Sequence, residues 1–150
     1  MADAKSATKQ RSFFVTLFGV VGTLWFALHG FEYVHARYDA LGGLLILPPP
    51  LGLRPFFAEL PQWSSIAITV TIWAGLLGAF LLLLGDRASV FILSLALLAA
   101  FVALVWGVLA FVQGAGPMGG VDPLFFAASQ TAVTAGLWLY ARTAKRYGTL

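Results

Sequence analysis

His29, Glu32 and His35 follow one another at three-residue intervals in the string HGFEYVHARYD, at the end of a long apolar run. An imidazole inside a bilayer is a candidate ligand for haem or chlorophyll. A carboxylate there is a candidate for proton or solute handling, because an ionisable group in hydrocarbon is costly and often functional. Haem clamped by two histidines needs both rings at one depth from opposite sides. On a helix His35 lies about 9 Å beyond His29 along the axis and about 240° around it, so the two do not hold one iron within a single chain. His29 is therefore read as a residue near the membrane interface that hydrogen-bonds a neighbour, with Tyr33 one turn on as the candidate. Cofactor ligation by His29 is the weaker alternative, and no cofactor is expected. Glu32 is read as a group at headgroup depth that reaches water or pairs with Arg37.

A second polar group falls at mid-membrane depth: Gln130 with Ser129, Thr131 and Thr134. Hydrogen bonds between helices account for such residues. The competing reading makes Gln130, Thr131 and Thr134 a polar substrate site. No Ser–His–Asp set, metal-ligand spacing or phosphate-cradling glycine loop is present. Cys is absent, which excludes disulfides, thiolate metal sites and cysteine nucleophiles. The expectation is a protein that is not an enzyme and holds no metal.

The elements that carry these residues are membrane spans. The stretch Pro61 to Gln113 contains two apolar runs broken only by Gly85-Asp86-Arg87. A helix of about 20 apolar residues spans roughly 30 Å of hydrocarbon, so this stretch is a transmembrane hairpin. With 60% hydrophobic and 10% charged residues, no soluble fold of this length could hide its apolar surface. The sequence predicts an all-α, single-domain membrane bundle of four helices, over about 12–34, 63–84, 87–112 and 123–142. The first is preceded by Lys5, Lys9 and Arg11 and is read as retained, cleavage near Ala36 being the alternative. Gly85 suits a left-handed helix end, Asp86 can cap the third helix, and Asp122-Pro123 starts the fourth. Residues 35–62 form an apolar loop around LGGLLILPPPLGLRPFF. Pro48 to Pro50 forbid a helix there, and the loop is expected on the membrane surface or folded back over the bundle, with Phe56 and Phe57 at headgroup level.

Small residues recur along the last two helices, at Ala96, Ala99, Ala100, Ala103, Gly107 and Ala110 and then at Ala128, Ala132 and Gly136, with Ala127, Thr131 and Ala135 beside them. Such stripes let backbones approach where lipid offers no hydrophobic contrast. Either the two helices touch along them, or one stripe holds a partner. Lys5, Lys9, Arg11, Arg87, Arg142, Lys145 and Arg146 share one side of a four-span topology, opposite Arg37 and Arg54, which predicts both tails in the cytoplasm. Glu32, Asp39, Glu59 and Asp122 fall on the far side. No basic cluster with interleaved aromatics points to nucleic acid, and no internal repeat supports an inverted-repeat transporter.

Leu24-Trp25 with Gly30 and Tyr33, Pro61-Gln62-Trp63, the AGLLGAFLLLLGDRASVFILSLALLA hairpin and the closing LYARTAKRYGTL together resemble a group of small four-helix bacterial integral membrane proteins labelled sugar-transporter-like. The resemblance covers nearly the whole chain and departs from the group's pattern in the LGGLLILPPPLGLRPFF loop and at His29. It implies a bacterial inner-membrane protein without assigning a mechanism. From the residues themselves, the favoured function is a non-catalytic accessory subunit of a larger inner-membrane complex, an energy-transducing respiratory or photosynthetic one being the guess. That subunit would act by helix packing through Ala99, Ala103, Gly107, Ala110, Ala128, Ala132 and Gly136, with lipids and other subunits as partners. The alternative is a small-solute transporter that works as a homo-oligomer.

Overall fold

The computed structural model describes residues 12–38 and 54–150. Helix α1 covers Phe13–Tyr38, α2 Arg54–Ala58, α3 Gln62–Leu83, α4 Ala88–Val112 and α5 Pro123–Arg146. All but α2 are long and apolar enough to cross a membrane. No strand occurs among the described residues; a single bridge between Met118 and Val121 closes the α4–α5 turn.

The turns form as their residues dictate. Gly85 takes a φ of 76°, a conformation that costs other residues a Cβ clash. Asp86 accepts from the Ala88 amide at 2.8 Å. Asp122 accepts from the amides of Leu124 and Phe125 at 2.8 and 3.3 Å, with Pro123 at the first helical position. These bonds satisfy amides that the first helical turn leaves without a partner.

The bundle runs up and down. α1 lies against α3, α3 against α4 and α4 against α5, while α1 and α5 approach less closely. Gly19 of α1 meets the backbone of Leu83 in α3, and Gly30 meets Ile72 and Trp73, so these two helices are antiparallel. Long side chains close the α1–α5 seam. Phe18 stacks on Tyr140 at 4.4 Å, Gly22 faces Leu137, and His29 lies 6.0 Å from Phe126 between ring centroids. Outside, Leu17, Val21, Leu24, Ile66, Val70, Leu77, Leu98, Val105 and Leu139 are exposed, as a lipid-facing girth requires.

Two apolar cores fill the interior. The tail-side core contains Val15, Phe26, Ala79, Leu82, Leu93, Leu137 and Ala141. The far-side core contains Phe56, Phe57, Ile68, Ile72, Trp106 and Phe126. Here the structure corrects the expectation for the loop. Phe56 and Phe57 are fully buried within the bundle rather than presented on its surface, because α2 turns them inward onto Phe126, Trp106 and Tyr33. Gly119 permits this closure, since a Cβ there would lie 2.6 Å from the Phe56 nitrogen. Pro48 to Pro50 and the rest of 39–53 lie outside the described residues. Two helices outrun their predicted ends. α1 continues to Tyr38 and α5 to Arg146, because neither VHARY nor TAKR contains a Gly or Pro to stop the hydrogen-bond ladder.

A Cβ on Gly19 would lie 2.6 Å from the Leu83 Cα, whereas one on Gly136 would meet nothing within 4 Å. Gly19→Leu should therefore cost about 1–3 kcal/mol through overpacking and lower the thermal midpoint of the detergent-purified protein by several degrees. Gly136→Leu should leave the midpoint in place.

Candidate functional site

Between the two apolar cores the bundle interior becomes polar. Trp25 and His29 of α1, Thr71 of α3, and Gln130 and Thr134 of α5 fall at this level, with Thr71, Gln130 and Thr134 at most 2% exposed. The Trp25 indole N–H donates to Gln130 Oε1 at 3.3 Å. His29 Nδ1 lies 2.6 Å from the Trp25 carbonyl oxygen. A carbonyl only accepts, so Nδ1 carries the proton, and in the neutral imidazole Nε2 is then an acceptor. The imidazole and the indole are 4.6 Å apart between centroids. His29 is thus anchored one turn back on Trp25 rather than one turn on at Tyr33, because the preceding turn's carbonyl lies within reach of its ring.

Gln130 at this level and Glu32, about two turns past Trp25 on α1, have polar atoms with no hydrogen bond among the described residues. Gln130 Nε2 and Glu32 Oε1 are both buried and make no hydrogen bond. The Glu32 residue is 1% exposed, which overturns its reading as a solvated helix end. The physical reason is the longer helix: α1 runs almost two turns past Glu32, so the carboxylate lies inside a packed segment, beside Tyr33, which rests on the far-side core. Arg37, its expected partner, has a side chain outside the described residues. His35 is buried as well, its ring stacked on Phe31 at 5.7 Å. A buried polar group without a hydrogen bond costs about 1–3 kcal/mol, more for a charged one. The Glu32 oxygen is thus not explained by the stability of the bundle, whereas Gln130 is explained in part, since its Oε1 accepts from Trp25.

The other residues singled out in the sequence separate. Thr134 turns its hydroxyl back to the Gln130 carbonyl at 2.6 Å. Thr131 faces α4 instead and donates toward the carbonyls of Ala127 and Ala100, at 2.8 and 3.2 Å. Ser129 bonds the Phe126 carbonyl. Gln130, Thr131 and Thr134 therefore do not converge on one site. Of the small residues, Ala103 and Gly107 are buried against α5, where a Cβ on Gly107 would lie 3.0 Å from that of Ala127. Ala99 and Ala110 are half-buried. Ala128, Ala132 and Gly136 are exposed on the outer face of α5. The α4–α5 contact runs along Ala127 and Thr131, the neighbouring stripe.

Sequence reasoning placed Trp25 only as part of a resemblance and missed its bond to Gln130, 105 positions away. A signal was present. Gly22, Trp25, His29 and Glu32 recur at alternating three- and four-residue steps, which sets them on one face of a helix. Ser89, fully buried with an unpartnered hydroxyl, carried no such signal. No group of three or more His, Cys, Asp or Glu able to hold a metal occurs among the described residues.

Compared with protein-family models, curated proteins and solved structures, the chain matches none. The resemblance to sugar-transporter-like four-helix proteins therefore has no support from these comparisons.

The Trp25–Gln130 bond is testable by a double-mutant cycle. Trp25→Phe and Gln130→Leu should couple by about 0.6 kcal/mol, with an upper end near ~1.7 kcal/mol, the range for hydrogen bonds between membrane helices. Strict additivity of the two midpoint shifts would show that the bond is not made in the membrane protein.

Proposed function

We propose that this chain is a small membrane carrier whose bundle interior binds a small hydroxyl- or amine-bearing solute. The observation that carries this reading is the Glu32 carboxylate, buried in a membrane span with an oxygen that makes no hydrogen bond among the described residues. Glu32 Oε1 and His29 Nε2 offer acceptors, and Gln130 Nε2 offers a donor. A hydroxyl group matches both kinds, as it donates and accepts. Four helices enclose only a narrow path, so the carrier is proposed to work as a homo-oligomer. The positive-inside distribution supports both termini in the cytoplasm, and the membrane is proposed to be a bacterial inner one.

A second reading, the accessory subunit of a larger inner-membrane complex, is favoured by a separate observation. The stripe Ala128, Ala132 and Gly136 is exposed, with open space over Gly136, and such a stripe accepts a neighbouring helix closely. Co-migration with a much larger complex on a native gel after mild-detergent extraction, lost in Gly136→Leu, would favour this reading over the carrier.

Thermal shift with monosaccharides, polyols and small amines tests the carrier. A ligand at about a hundred times its Kd adds ~2.7 kcal/mol to stability, a midpoint rise of several degrees. At least one of these solutes should raise the wild-type midpoint, and Glu32→Gln and Gln130→Leu should each abolish the rise. A rise retained in both variants would remove the proposed site.

A further inference from the structure

At the tail end of the bundle, α4 and α5 part to leave an outward-facing groove of about 780 Å³, lined by Val90, Phe91, Ser94, Trp138, Arg142, Lys145 and Arg146. Its α5 wall arises from helical spacing: Trp138, Arg142, Lys145 and Arg146 stand at steps of four, three and one, and so share a face. Its α4 wall comes from the first two turns of that helix. Arg142, Lys145, Arg146 and Phe91 are exposed. The Arg142 guanidinium sits 5.3 Å from the Trp138 ring centroid, a cation–π contact.

Cations near a helix C-terminus offset its dipole, and that alone would account for Lys145 and Arg146. It does not account for Arg142 held on an indole beside an exposed phenyl ring in a membrane-facing groove. The groove is graded along the bundle axis. From Arg146 at its mouth to Trp138 at its depth is eight residues, about 12 Å of helix. Three cations therefore stand at the water end, and Val90, Phe91 and Trp138 line the end that enters the hydrocarbon. The acid nearest in the chain, Asp86, is engaged by the Ala88 amide, and no acid lines the groove.

We propose that this groove is a binding site for an anionic phospholipid. The phosphate lies among Arg142, Lys145 and Arg146, and the upper acyl chain lies on Phe91, Val90 and Trp138. An arginine stacked on an aromatic face keeps its edge donors for phosphate oxygens. The polar-to-apolar grading matches a lipid and exceeds what a free anion needs. The site is remote from Glu32 and Gln130, and stands or falls apart from the carrier reading.

The test is native mass spectrometry of the full chain, exchanged from mild detergent into nanodiscs of phosphatidylglycerol and phosphatidylcholine in equal parts. Wild type should retain phosphatidylglycerol in preference to phosphatidylcholine. Loss of each cation should weaken retention about fivefold, so that the triple variant Arg142→Gln, Lys145→Gln, Arg146→Gln loses on the order of a hundredfold. Phe91→Gln, which leaves the charge unchanged, should also reduce it. Arg87→Gln, at the same end but outside the groove and bonded to the Leu150 carbonyl at 2.9 Å, should leave it unchanged. Equal retention of the two lipids would overturn the proposal. So would a loss in Arg87→Gln as large as in the triple variant, which would indicate general charge at that end. Displacement of the lipid by excess inorganic phosphate would overturn it too, in favour of a free-anion site.

Discussion

A helical bundle in a bilayer must satisfy its polar groups from within, because lipid offers them nothing. In this chain that constraint falls on the seam between α1 and α5. The inward face of α1 carries Gly22, Trp25, His29 and Glu32 in succession, and α5 answers with Leu137, Gln130 and Phe126. Trp25 finds Gln130, and His29 finds the Trp25 carbonyl. The first of these bonds joins the two long helices that approach each other less closely than their neighbours do, and the second fixes the His29 ring on its own helix. Apolar cores lie on either side of this level. The polar layer is therefore flanked by hydrocarbon-like packing, where each hydrogen bond made is strengthened and each one missed is expensive.

The balance at this level is uneven. Thr71 and Thr134 return their hydroxyls to carbonyls of their own helices, so they add little demand. Gln130 uses its oxygen and leaves its nitrogen, and Glu32 keeps an oxygen that makes no hydrogen bond among the described residues. An apolar side chain at Glu32 would remove a cost the fold now bears, whereas one at Gln130 would also strip the Trp25 indole of its acceptor. Sites at which sequence breaks a packing rule without visible compensation are where function is expected. The outer surface follows the opposite logic. Its apolar girth is what lipid demands, and the positive charge of the described side chains is gathered at the tail end, where α4 and α5 leave their basic groove.

Much of this fold is legible in the residues. Uninterrupted apolar runs gave the four spans, and Gly85, Asp86 and Asp122-Pro123 marked the turns, because local chemistry alone decides these features. The extent of α1 was less legible. Charged and aromatic residues in HGFEYVHARYD resemble a helix end, and α2, whose Phe57 meets Tyr33, folds back against this part of α1. Phe56 and Phe57 read as interfacial for the same reason, since composition does not say which way a short helix turns its rings. The stripe on α5 was visible but its direction was not. Ala127 and Ala128 are both small, and only the register against α4 distinguishes the packed one from the exposed one. Gln130 was identifiable as a mid-membrane polar group; its partner on α1 depended on tertiary pairing.

The account turns on the claim that Glu32 is held in the bundle for a reason other than stability. The most direct test is the thermal midpoint of Glu32→Leu in detergent against wild type. The account predicts a midpoint equal to or above that of wild type, because a buried unpartnered oxygen is replaced by packed methyl groups. A fall of several degrees would contradict it and make Glu32 a structural residue of the far-side core.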